Sequence, residues 1–131
     1  MLRHLRWALL WAAVILGLCL IPARGLPEWD WFSLLDLDKL VHAGMFFILS
    51  LLLAQAFRTA DQPVRYLFWG IVISVLYGVA TEFMQGLEAL GRRTDPADMI
   101  ANTVGAIAAA GYATWRERKG RAIVPFAFLR Q

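Results

Sequence analysis

Apolar residues along this chain fall into four long blocks separated by short polar stretches. Arg6 and Arg24 are separated by 17 residues without Asp, Glu, Lys or Arg, Lys39 and Arg58 by 18, Arg65 and Glu82 by 16, and Asp98 and Arg116 by 17. Each block is just short of the roughly 20 residues that carry a helix across a bilayer. The pattern predicts an all-α integral membrane bundle of four transmembrane helices, at about residues 5–22, 38–57, 66–85 and 95–115, with a basic tail at 116–131. To reach full length, helix 2 must take in Asp38 and Lys39, helix 3 must run through Glu82 to Gln85, and helix 4 must start near Asp95. These polar residues therefore belong to the membrane boundary or the turn inside it.

Composition agrees. Of 131 residues, 60% are hydrophobic and 18% charged, and the mean hydropathy is +0.55; a soluble domain carries roughly a quarter charged residues. The length fits one domain. Cys19 is the sole cysteine, so neither a disulfide nor a cysteine metal site is expected. No cofactor is implied. A net charge of +3 does not point to nucleic acid.

The basic residues instead predict orientation. Segment 1–6 holds two Arg, the 58–65 loop two, and 116–121 four Arg or Lys, whereas the other two connections hold Arg24, Lys39, Arg92 and Arg93. The positive-inside rule then puts both termini in the cytoplasm of a multi-pass protein. Trp7, Trp69 and Trp115 fall at the inner interface, Trp29 and Trp31 at the outer. Residues 1–25 also resemble a signal peptide ending in Ala23-Arg24-Gly25, but their apolar run is long for one, and an uncleaved first helix is expected. Residues 26–37 read either as a short interfacial helix lying over the outer end or as an anchoring loop. The tail, basic and then apolar, suits an anionic membrane surface.

This orientation gathers polar residues from three helices in the outer leaflet. Asp38 and His42 are four apart on one helix face, where a carboxylate can orient an imidazole as a base. Glu82 and Gln85 share a face of helix 3, and a carboxylate at that depth needs a partner, with Arg92, His42 and Asn102 as candidates. Asp95-Pro96-Ala97-Asp98 is a helix start, Asp95 at the N-cap and Pro96 at N1. Asp98 and Asn102 then share a face that continues through Gly105 and Ala109, small enough for close helix approach. Each group also has a structural reading: Asp38 and Asp95 as caps, Lys39 snorkelling to the surface, and the remainder as a satisfied interhelical network.

The ordered combination Asp38-Lys39-x-x-His42, Glu82-x-x-Gln85 and Arg92-x-x-Asp95-x-x-Asp98-x-x-x-Asn102-x-x-Gly105 resembles the VanZ-like membrane proteins. The resemblance covers residues 38–111, with Arg93 an additional arginine and Ala109 standing where a second glycine is expected. It implies a small protein of the bacterial inner membrane, in a family whose namesake lowers susceptibility to the glycopeptide antibiotic teicoplanin. That is a phenotype, not a reaction.

Two functions follow. In the first, the cluster binds or processes an anionic, lipid-linked envelope molecule. Arg92 and Arg93 hold its phosphate or carboxylate, with Lys39, Gln85, Asp98 and Asn102 around it, while His42 supported by Asp38 is the base and Glu82 the acid. In the second, the chain is a non-catalytic accessory or binding protein and the cluster holds its helices together. Proton or ion passage is disfavoured, since Ser50, Gln55 and Ser74 are few to line a path. A single histidine on that side argues against zinc, and no metal is assigned.

Overall fold

The structure is a computed structural model that describes residues 2–19, 37–58, 65–85 and 96–127. It contains four helices: α1 (Leu2–Cys19), α2 (Leu37–Arg58), α3 (Tyr66–Gln85) and α4 (Pro96–Arg118), with no strand among the described residues. Residues 26–36, and with them most of the segment read as an interfacial helix or loop, lie outside the described residues.

Helices α2 and α3 contain stretches long and apolar enough to cross a membrane, Lys39–Arg58 and Tyr66–Met84. The apolar part of α1, Leu5–Leu18, is shorter. At 23 residues α4 is ~34 Å long, enough to cross, but Asp98, Asn102, Thr103 and its many small residues dilute its apolar character. Its two outer hydroxyls are satisfied within the helix, Thr103 Oγ1 donating to the Met99 carbonyl and Thr114 Oγ1 to that of Ala110, both at 2.9 Å. The apolar stretch of α3 is only 28% buried, and Phe68, Trp69, Leu76 and Phe83 point outward. A core helix of a soluble protein would hide such side chains; a helix facing lipid would not.

Helices α2 and α4 run parallel and pack directly on each other, with α3 antiparallel against both. Lys39 meets Asp98 at one end, Ser50 meets Ala106 near the middle, and Arg58 meets Glu117 at the other end. Small residues set the spacing. A Cβ on Gly105 would fall 2.0 Å from the Ala43 carbonyl oxygen, and one on Gly70 would fall 3.0 Å from that of Ser50. Only glycine lets the backbones come this close.

Two apolar clusters fill the interior. Ala8, Ile15, Met45, Phe46 and Leu49 pack α1 against α2. Hydrogen bonds fasten α1 as well: the Trp11 indole N–H donates to the Met45 carbonyl at 2.9 Å, and the Tyr77 hydroxyl to the Ala12 carbonyl at 2.5 Å.

The second cluster corrects the reading of the tail. Helix α4 ends at a Schellman-type cap, in which Gly120 adopts φ +67°, its N–H donates to the Glu117 carbonyl, and the Arg121 N–H reaches the Arg116 carbonyl. The chain then doubles back, held by Arg116 Nε on the Ala122 carbonyl at 2.8 Å. Ile123 and Val124 are buried with Leu51, Ala54, Tyr66, Ala109 and Ala113. These two residues complete the bundle interior, while Arg118, Lys119, Arg121 and Phe126 stay exposed. The energetic reason is plain: two branched side chains gain more by leaving water for a packed seat than by lying at an interface.

Candidate functional site

At the end of the bundle where α2 and α4 begin and α3 finishes, polar side chains of α2 and α4 meet. Lys39, one turn into α2, places Nζ 2.5 Å from Oδ1 of Asp98, in the first turn of α4. His42, three residues further along α2, lies between two residues of α4. Its Nδ1 is 3.1 Å from Asn102 Oδ1, and its Nε2 is 3.7 Å from Asp98 Oδ2. The spacing of four between Asp98 and Asn102 explains this, since it stacks them on one face about one helical turn apart.

An amide oxygen only accepts, so with Asn102 Oδ1 facing the ring, His42 Nδ1 is the donor of this contact. Nε2 faces the Asp98 carboxylate at 3.7 Å, too long for a hydrogen bond.

Glu82 belongs to the same end. A Cβ on Gly78 would lie 3.2 Å from Asn102 Nδ2 and 3.1 Å from the Phe46 ring, so Gly78 faces the Asn102 amide. Glu82 follows Gly78 by four residues on the same face of α3, one turn nearer the Asp98 level. Glu82 and Asn102 are 1% and 2% exposed, whereas Lys39 and His42 remain partly open, so the site grades from a covered floor to an accessible rim. Among the described residues no group of three or more His, Cys, Asp or Glu is arranged to hold a metal ion.

Of the residues expected here, the structure brings together Lys39, His42, Asp98, Asn102 and, by helix face, Glu82. The side chains of Asp38 and Gln85, together with all of Arg92, Arg93 and Asp95, lie outside the described residues. The expected support of His42 by Asp38 falls on a side chain outside the described residues; the described contacts of the ring come from Asn102 and Asp98 across the helix interface. Three further residues went unsinged out by sequence reasoning. Ala43 supplies the carbonyl against Gly105, Gly78 admits the Asn102 amide, and Thr81 is buried beside Glu82 with Oγ1 donating to the Gly78 carbonyl at 3.0 Å. The signal for one of them was the four-residue recurrence Gly70, Ser74, Gly78, Glu82.

Comparison with curated proteins and with solved structures gave no match. The VanZ/LLP1 family description matches residues 5–117, a span wider than the motif-bearing part of the chain and including all four helix cores. The chain therefore belongs to the VanZ/LLP1 family.

Proposed function

We propose that this chain is a multi-pass protein of the bacterial inner membrane whose polar end binds or processes an anionic, lipid-linked cell-envelope molecule in the outer leaflet. In this reading all four helices cross the bilayer and both termini are cytoplasmic. The observation that carries it is the meeting of Lys39, His42, Asp98 and Asn102 between two otherwise apolar helices, over a buried Glu82. Ionisable side chains in such surroundings are costly, and function is the usual reason they persist.

The roles follow from the chemistry. Arg92 and Arg93 hold the phosphate or carboxylate of the ligand, and Lys39 adds a cation at the rim. His42 Nε2 is the base, positioned through Nδ1 by Asn102, and Glu82 in its covered position is the acid. Family membership supports a link to glycopeptide susceptibility, teicoplanin included.

A second reading is supported by the Lys39–Asp98 contact, in which the two charges neutralise each other. There the cluster joins α2 to α4 in a non-catalytic accessory or binding protein. Susceptibility assays separate the two. Cells expressing the wild-type chain should tolerate more teicoplanin, and Glu82→Gln or Arg92→Gln at equal membrane level should abolish that tolerance. Variants that keep the phenotype, or that vanish from the membrane, favour the second reading.

A further inference from the structure

The opposite end of the bundle has its own chemistry, independent of the polar site. Helix α2 ends there, α3 begins there, and the capped end of α4 turns back there. Among the described residues this end carries Arg58, Arg65, Arg116, Arg118, Lys119 and Arg121 against a single carboxylate, Glu117. Arg58 Nε is paired with Glu117 Oε1 at 3.1 Å, and Arg116 is bound to the Ala122 carbonyl. Arg65, Arg118, Lys119 and Arg121 are exposed.

Three features make this more than a set of surface cations. The turn carrying Lys119 and Arg121 is fixed: Gly120 closes it through two backbone hydrogen bonds, and burial of Ile123 and Val124 pins the chain that follows. Trp69, one turn from Arg65, and Trp115, one turn from Lys119, are each about half exposed, at 46% and 49%. Exposed indoles at that depth mark a membrane–water interface. Phe126, 60% exposed just after the buried pair, adds an outward apolar side chain beside the cations.

We propose that this end is a fixed seat for the phosphate headgroups of anionic phospholipid, with Arg65, Arg118, Lys119 and Arg121 as the headgroup contacts and Trp69, Trp115 and Phe126 set among the acyl chains. The electrostatic ground is simple: basic residues beside an anionic leaflet are attracted to it. Ile123 and Val124 are consumed in holding the bundle closed, so the lipid contact belongs to a rim anchored by this pair. Lipid binding here also ties the start of α3 to the end of α4.

The test uses the full chain purified in an uncharged detergent. Its unfolding midpoint is measured with added phosphatidylglycerol, phosphatidylcholine or inorganic phosphate. Phosphatidylglycerol should raise the midpoint by about 3–8 °C, as ligands near tenfold above Kd do for domains of this size. Phosphatidylcholine and inorganic phosphate should not, and high salt should erase the rise. The triple variant Arg118→Gln, Lys119→Gln, Arg121→Gln should keep the wild-type midpoint without lipid and lose most of the rise. Equal stabilisation by phosphatidylcholine, an equal rise with inorganic phosphate, or a full rise in the triple variant each overturns the assignment. No residue of the polar site is altered, so this result stands or falls apart from the function proposed there.

Discussion

A methyl group placed on Gly105 would lie 2.0 Å from the carbonyl oxygen of Ala43 and 2.8 Å from its carbonyl carbon. The obstacle is backbone, which cannot swing aside, so α2 and α4 must part to admit it. Because Ala43 follows His42, the parting would also loosen the polar site.

Gly105→Ala should therefore destabilise the chain by about 1–3 kcal/mol or more, the usual cost of overpacking a close interface. Gly111 is the control. Nothing lies within 4 Å of a Cβ there, and Ala has the better helix propensity by about 1 kcal/mol. Thermal unfolding in detergent should show Gly105→Ala lowered and Gly111→Ala unchanged or raised.

The Lys39–Asp98 pair predicts a non-additive cycle. Lys39→Met leaves a mostly covered carboxylate without its ammonium, and Asp98→Asn leaves the ammonium without its carboxylate, each costing about 3 kcal/mol. The double variant removes both charges and should be more stable than the sum of the single losses implies. Equal additivity in unfolding measurements would mean that the two groups do not depend on each other.

Asn102 should set the state of the His42 ring. In the wild-type chain, nitrogen NMR of a histidine-labelled sample should show the proton of the neutral ring on Nδ1, because Asn102 Oδ1 accepts there. Asn102→Leu removes the acceptor and should shift the balance towards Nε2–H, with Asp98 the nearest remaining acceptor. A tautomer ratio unchanged by Asn102→Leu would show that another group positions the ring.

The returning tail should be worth several kcal/mol. Ile123→Ala deletes a side chain with 0% exposure and should cost about 2–5 kcal/mol. Gly120→Ala forces a β-carbon into the left-handed region at φ +67° and should cost about 1–2 kcal/mol. Both are read from unfolding midpoints, with Phe126→Ala, an exposed position, as the near-neutral comparison.

The helices and much of the site were legible because they rest on local rules. Block length and the polar residues at block ends located the helices, and a spacing of four put Asp98 and Asn102 on one face. What was not legible depends on tertiary choice. The Asp38 side chain lies outside the described residues, whereas the contacts of the His42 ring to Asn102 and Asp98 depend on the register of α4 against α2, where Gly105 approaches Ala43. In the tail, the burial of Ile123 and Val124 was hidden for a similar reason. Its basic start and apolar end describe a surface anchor as well as a capped return, and the decision rests on the seat lined by Leu51, Ala54 and Ala113, which the tail's own sequence does not reveal. Gly120, just beyond a basic last turn, was the available clue.

The most direct test is the binding of a polyprenyl phosphate to the purified chain, with the uncharged polyprenol as reference. The account predicts saturable binding that needs the phosphate, falls about tenfold or more in Arg92→Gln/Arg93→Gln, and survives both Glu82→Gln and the triple variant at the opposite end. Binding that is equal for polyprenol, or that is unchanged without Arg92 and Arg93, would contradict it.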